Sequence, residues 1–312
     1  MNTSVLDTFG VGITPGRVEA NIGHTPLLRL FNKELIDGVE IFAKAEHLNP
    51  GGSVKDRAAL SMILEGERTG KLKPGMTIVD ATSGNTGIAY AMIGASRRYR
   101  VKVCLPKNAG KQRKRILRSY GVEIIETDQM LSTDGARQMA HEIFASDPEN
   151  HFYPDQYNND ANWLAHYETT ANEIWQQTEG RITHFVTGLG TSGTFTGTVR
   201  RLRELNPSLK AFAVQPESPL HGLEGLKHMA TAARKPGIYD ESLASGTLEV
   251  ATEDALLMTG KLAREEGLLV GPSSGANVFA ARRLAVSLQR PAVPAVIVTV
   301  LCDGGERYLD ES

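Results

Sequence analysis

The sequence predicts an α/β protein in which largely parallel strands are covered by helices. Three observations predict it. Short β-branched runs alternate with longer helix-period segments along the chain, the pattern of strand–helix units. Several of these runs are continuously apolar, as in VIVTVL at 296–301, and strands buried on both faces read that way. Turns rich in Gly, Ser and Thr stand between a run and the helix that follows it, as in TSGNTG at 82–87 and GLGTSGTFTG at 188–197.

The strands are expected at Val39–Glu46, Thr77–Ala81, Val101–Leu105, Glu123–Glu126, His184–Thr187, Ala211–Gln215 and Ala295–Leu301. The helices are expected at Lys55–Glu67, Thr86–Tyr99, Lys111–Tyr120, Thr133–Ala145, Asn162–Gln177, Thr194–Leu205, Glu253–Glu266 and Gly275–Leu288. A polar, irregular segment, PDQYNNDANW at 154–163, separates two strand–helix series. It is the expected domain crossing in a chain whose length of 312 residues suggests two domains. A cleft between two such domains is where a small ligand is expected.

Composition excludes several classes. Apolar residues are 41% and charged residues 22% of the chain, unlike a disordered chain. The 34 basic and 36 acidic residues nearly cancel, so nucleic acid is not the expected partner. The longest nearly apolar stretch, Pro291–Leu301, is too short to span a bilayer. With no basic-then-apolar opening in MNTSVLDTFGVG, a cytoplasmic protein with no membrane partner is expected. Cys104 and Cys302 both lie in apolar runs and are read as buried thiols of a reducing compartment. The eight histidines show no ligand spacing, so no metal site is expected. Glycine, at 31 residues, exceeds the usual 7% or so, which points to tight turns and close backbone approach to a ligand.

Four segments could carry chemistry. In NPGGSVKDR, 49–57, a Pro-Gly-Gly turn brings Lys55 into the first turn of a helix. A lysine is disfavoured at that positive end, which suits a nucleophilic amine; a solvated surface lysine is the bland alternative. TSGNTG presents N–H groups and hydroxyls at a helix start, a site for a carboxylate or phosphate; an ordinary capping turn is the alternative. GLGTSGTFTG contains a literal G-x-G-x-x-G at Gly188, Gly190 and Gly193, with Glu217 after the next strand. That pattern fits a dinucleotide fold, and equally any phosphate held on a helix N-terminus. GPSSGA, 271–276, offers two serines that could cap a helix or meet a ligand atom. The ten basic residues of Arg97–Arg118 are read as a solvated helix face.

Taken together, SVKDR, TSGNTG, the Gly/Thr loop and SSGA resemble the pyridoxal-phosphate enzymes of the cysteine synthase and cystathionine β-synthase family. IGHTPLLRL at 22–30 looks like that family's opening segment and QYNNDAN at 156–162 like its central Gln loop. The resemblance covers nearly the whole chain. It looks closest to the cysteine synthase B branch, in KDRAALSMI, EIWQQTEGRITHFV and LCDGGERYL. It implies the fold-type II (tryptophan synthase β-like) architecture, two open twisted α/β domains with the cofactor in the cleft between them. An N-terminal domain would span 47–153; a C-terminal domain of 1–46 and 154–312 would carry the phosphate loop.

The resemblance also implies roles. Lys55 would be the Schiff-base lysine and Asn85 would bond the cofactor's ring hydroxyl. Gly190, Thr191, Ser192, Gly193 and Thr194 would hold the phosphate, and Ser273 would face the pyridine nitrogen. Thr82, Ser83, Thr86 and Gln156 would bind the substrate carboxylate. The implied reaction is β-replacement, making L-cysteine from O-acetylserine and sulfide through an aminoacrylate intermediate. The implied assembly is a homodimer; nothing in the motifs speaks to a serine acetyltransferase as partner. Lys227 and His228 stand where related sequences carry basic residues, and a cation there would draw a dianionic sulfur donor such as thiosulfate. Gly51, His24 and Asp160 depart from the family's usual Ser, Thr or Ala, its Asn and its Pro. Cystathionine β-synthase and an O-phosphoserine enzyme are the alternatives within the family. A nucleotide-binding oxidoreductase is the alternative outside it. A binding protein without the chemistry is a third class, against which the intact SVKDR stands.

Overall fold

The computed structural model describes residues 16–31, 37–82, 84–232, 234–288 and 294–311. Apolar β-branched residues at nearly every position bury β10 (Ala295–Leu301) along its whole length. It lies inside a six-stranded sheet with β1 (Leu27–Leu30), β2 (Val39–Ala45), β7 (His184–Gly188), β8 (Lys210–Pro216) and β9 (Gly246–Val250), in the order β1-β2-β10-β7-β8-β9. The pairs are parallel except β1–β2, which is antiparallel. A second sheet has four parallel strands in the order β5-β4-β3-β6. These are β3 (Thr77–Ala81), β4 (Arg100–Pro106), β5 (Glu123–Thr127) and β6 (His151–Phe152).

The chain divides into two compact units. Among the described residues the first holds 16–22, 49–162 and 307–311, and contains the four-stranded sheet. The second holds 23–48 and 163–306, and contains the six-stranded sheet. In the first, α1 (Lys55–Arg68) and α2 (Asn85–Arg97) bury Met62, Ile63, Ile88 and Ile93 against Ile78 and Val103 of the sheet. Its other helices are α3 (Lys111–Ser119) and α4 (Ser132–Ser146). In the second, α9 (Pro272–Ser287) buries Ala276, Ala280 and Leu284 in a core with Val186, Val214 and Ile297. The α/β class read from the strand–helix alternation is the architecture found, with a sheet for each of the two expected strand–helix series.

The differences from the sequence reading have local causes. β1 and β9 were not expected because both are edge strands, broken by Arg29 and opened by Gly246. β6 has only two residues, too few for a periodic signal. The single helix expected at Asn162–Gln177 is α5 (Asp160–Ala165), a π-helical turn at His166–Thr170, and α6 (Ala171–Gln177). The helix expected at Glu253–Glu266 is likewise α8 (Thr252–Lys261) followed by a π-helical turn at Leu262–Glu266. The expected solvated face on Arg97–Arg118 is only partly so. Arg113 and Lys114 of α3 are buried, and Lys114 Nζ bonds the Lys107 carbonyl and Glu126 Oε1 at 2.6 and 2.8 Å. Cys104 is buried, but Cys302 is only half-buried just beyond β10. Burial pushes the Cys104 thiol up to about 12. Among the described residues no helix is long and apolar enough to cross a membrane.

β2 buries one charged residue completely. Lys44 is fully buried, and its Nζ lies 2.6 Å from Glu173 Oε2 and 3.0 Å from Gln177 Oε1. Glu173 also accepts from the His24 N–H at 3.0 Å. His24 has a φ of +50°, a left-handed conformation that Asn and His adopt more readily than most residues. The backbone therefore accounts for the exchange of Asn for His there. Removing one partner of a buried ion pair strands the other charge. Glu173→Ala is expected to lower unfolding stability by about 3–5 kcal/mol, measured by urea titration; a loss under about 1 kcal/mol would show that the pair is dispensable.

Candidate active site

In the first unit two turns meet. The Asn49–Gly52 turn closes with Gly52 N–H on the Asn49 carbonyl at 2.7 Å, and Gly52 sits at φ +76°. α1 then begins at Lys55, with the Lys55 N–H on Ser53 Oγ at 3.3 Å. Lys55 is half-buried. Among the described residues its ammonium forms no hydrogen bond or ion pair. Gly51 donates to Asp56 Oδ2 at 2.5 Å, and a Cβ on Gly51 would stand 2.5 Å from Asp56 Oδ1. That close approach to a buried carboxylate explains why position 51 has no side chain.

The second turn leaves β3 and enters α2. Gly84 is the residue before the helix, at φ +146°, and no side chain caps the helix end in the usual way. Instead Thr82 Oγ1 accepts from the Gly84 and Gly87 N–H groups at 2.9 and 3.2 Å. Thr86 Oγ1 donates to Gln156 Oε1 at 2.9 Å, and Gln156 Nε2 donates to the Ala81 carbonyl at 2.5 Å. Thus Thr82, Thr86 and Gln156, all buried, are brought together at the N-terminus of α2. Ser83 lies outside the described residues.

In the second unit β7 leads through Leu189–Ser192 into α7 (Gly193–Leu205). Ser192 has φ +71°, an uncommon left-handed conformation for a residue with a side chain. Its Oγ is buried and makes no hydrogen bond among the described residues. A Cβ on Gly190 would overlap the Gly225 carbonyl. Lys227 lies beside this loop, its N–H on the Leu189 carbonyl at 2.7 Å, with a half-buried side chain. His228 Nδ1 is 2.8 Å from Thr231 Oγ1. Glu217 is exposed beyond β8. α9 starts at Pro272, three residues before the expected start, so neither serine of GPSSGA caps it. Ser274 Oγ is taken by the Cys302 N–H at 2.8 Å, whereas Ser273 is buried in the first turn.

Two buried residues in contact with these motifs carried no signal in the sequence. His166, on a π-helical turn, is buried between Thr170 Oγ1 at 2.9 Å and Thr194 Oγ1 at 3.3 Å. Arg307 is buried and donates from Nη1 to Asn85 Oδ1 at 2.5 Å, and from Nη2 to the Gly51 carbonyl. The π-helical turn was the one available cue for His166, and such turns are not legible in residue periodicity.

The family model "Pyridoxal-phosphate dependent enzyme" matches residues 18–303, and the chain belongs to that family. It is 48% identical over 291 residues to a cysteine synthase of Aquifex aeolicus, covering 92% of this chain and 89% of the relative. It is 44% identical to cysteine synthase B of Escherichia coli, covering 94% of each. The crystal structure of an O-acetylserine dependent cystathionine β-synthase from Helicobacter pylori superimposes with a TM-score of 0.89 at 33% identity, covering 96% of this chain and 99% of that one.

Behind the β3–α2 turn lies Asp80, buried, accepting from Tyr90 Oη and the Ala81 N–H, each at 2.8 Å. Burial pushes its carboxyl up to about 7, against the opposing hydrogen bond from Tyr90. Below about pH 4, the ordinary carboxyl value, folded and unfolded chains both hold this proton. Between there and pH about 7 only the folded chain holds it, so this group lowers stability as pH rises, with no further loss above. In Asp80→Asn the decline in urea midpoint from about pH 4.5 to about pH 7.5 is expected to shrink. An unchanged decline would remove Asp80 as its source.

Proposed function

We propose that this protein is a pyridoxal-phosphate-dependent cysteine synthase, which replaces the acetoxy group on Cβ of O-acetylserine with sulfide and releases L-cysteine and acetate. The observation that carries the substrate class is the 48% and 44% identity, over about nine-tenths of the chain, to relatives named cysteine synthase and cysteine synthase B. The same similarity favours this over cystathionine β-synthase, whose solved relative is 33% identical. The family match supports reading G-x-G-x-x-G as a phosphate loop rather than a dinucleotide site.

When bound, pyridoxal phosphate supplies an electron sink for the bonds broken at the substrate's α-carbon. Lys55 Nζ is the covalent attachment point, and the same nitrogen takes the α-proton. What supports this is a half-buried amine in the first turn of α1 with no competing partner among the described residues. The residues Gly190, Thr191, Ser192, Gly193 and Thr194 hold the phosphate. Ser192 Oγ, buried and without a hydrogen bond among the described residues, and the side-chain-free Gly190 fit a large anion on the first-turn N–H groups of α7. Ser273 faces the ring nitrogen; its neighbour Ser274 is already committed to the backbone of Cys302. A neutral hydroxyl cannot stabilise a ring cation as a carboxylate does, which favours β-elimination over transamination.

Asn85 meets the ring hydroxyl, and Thr82, Ser83, Thr86 and Gln156 receive the substrate carboxylate. Both lone pairs of Thr82 Oγ1 are engaged by N–H groups, so its O–H is the group that can donate to a carboxylate. The Gly87 N–H is taken by Thr82 Oγ1; the Thr86 N–H, which has no acceptor within the helix, adds to that site. A homodimer in the cytoplasm is the proposed working state, on the resemblance to the family.

Lys55→Ala is expected to abolish the yellow colour of the lysine-bound cofactor and to lower β-replacement by about 10³-fold or more. A variant with near-wild-type turnover would falsify the assignment. Donor and nucleophile pairs decide the substrate: O-acetylserine with sulfide is expected to exceed O-phosphoserine with sulfide and serine with homocysteine. Thiosulfate is expected to serve as a second nucleophile, attracted by Lys227. Lys227→Ala should then lose thiosulfate activity selectively, with the difference shrinking as salt rises. Equal losses on sulfide and thiosulfate would remove Lys227 from this role.

A further inference from the structure

Arg307 is a buried cation beside the first-unit motifs. It lies in the 3-10 helix Gly305–Glu311 and is 4% exposed. Burying a guanidinium is costly unless its donors find acceptors. Two of those acceptors belong to different motifs of this unit. Nη1 donates to Asn85 Oδ1 at 2.5 Å, at the start of α2, and Nη2 donates to the Gly51 carbonyl, in the turn that leads to Lys55. The space for the guanidinium exists because position 52 is glycine: a Cβ there would overlap Nη2. The next residue braces the same region, since the Tyr308 ring lies under Arg113 Cζ at 5.1 Å. The Arg113 stem in turn fills the space a Cβ on Gly84 would need.

We propose that Arg307 is a positioning residue that fixes the direction of the Asn85 amide and ties it to the Gly51 turn, so that Asn85 meets the cofactor as a hydrogen-bond donor. The proposal rests on the reading of Asn85 as a cofactor contact. An asparagine amide is nearly symmetric in shape but opposite in polarity at its two ends. With Oδ1 committed to a cation, Asn85 can meet a ring oxygen only through its NH2. The reversed amide would set two oxygens, one of them anionic, against each other. A lysine at 307 cannot reproduce this, because its ammonium lacks the planar fork that spans two acceptors.

The test titrates the apoenzyme with pyridoxal phosphate, following cofactor absorbance and intrinsic fluorescence, with the Tm of each variant measured alongside. Arg307→Met and Asn85→Ala are each expected to raise the cofactor Kd by roughly 10- to 100-fold, the span of a hydrogen bond to a charged group. The double variant is expected to be no weaker than the weaker single variant, because the two residues act as one unit. Arg307→Lys is expected to fall between wild type and Arg307→Met. If Asn85→Ala binds the cofactor like wild type, the reading of Asn85 fails and the proposal with it. If Asn85→Ala weakens binding but Arg307→Met lowers only Tm, or the two losses add fully, the proposal alone is overturned. Should Arg307→Met not fold, Arg307→Lys carries the test: a wild-type Kd in that variant overturns the proposal, and a raised Kd that does not worsen on adding Asn85→Ala supports it.

Discussion

The first turn of a helix holds N–H groups that the helix itself cannot satisfy. That constraint recurs at four places in the chain, two in each unit. β3 feeds α2 through Thr82–Gly84, and β7 feeds α7 through Leu189–Ser192. The turns before Lys55 and Pro272 start α1 and α9. At α2, α7 and α9 the usual side-chain cap is missing. At α2, Thr82 Oγ1 outside the helix takes the Gly87 N–H instead, and the helix terminus keeps its positive end.

Two glycines answer close contacts. Gly190 approaches the Gly225 carbonyl so closely that no side chain fits, and Gly52 leaves room for the Arg307 guanidinium. Neither glycine is needed for a helix or a strand. Both are needed because backbone or a buried cation comes within contact distance. The buried polar groups answer in kind. Thr82 serves two N–H groups, Gln156 links Thr86 to the Ala81 carbonyl, and His166 sits between Thr170 and Thr194. Each hydrogen bond is modest alone, and each would be expensive to leave unmade in a low-dielectric interior.

The three departures from the family's usual residues have local explanations. His24 occupies a left-handed backbone position that suits His as well as Asn. Asp160 is the first residue of α5, where an acidic residue complements the helix dipole much as Pro fits its geometry. Gly51 gives its space to the Asp56 carboxylate.

The sequence by itself determined the α/β class, the central strands and the starts of most helices. Those features are set by residues a few positions apart, through periodicity and turn chemistry. Thr77–Ala81 and Ala295–Leu301 were legible to the residue because every position is buried and all but Asp80 are apolar or β-branched. Edge strands such as Leu27–Leu30, and the π-helical turn that carries His166, were not, because packing rather than local preference makes them. Only the tertiary structure paired Thr86 with Gln156 and Asn85 with Arg307. It also decided that Arg113 and Lys114, the centre of a basic run, turn inward. The physical reason is the same in each case: a long-range polar contact needs only one donor and one acceptor, leaving no periodicity for a sequence to display.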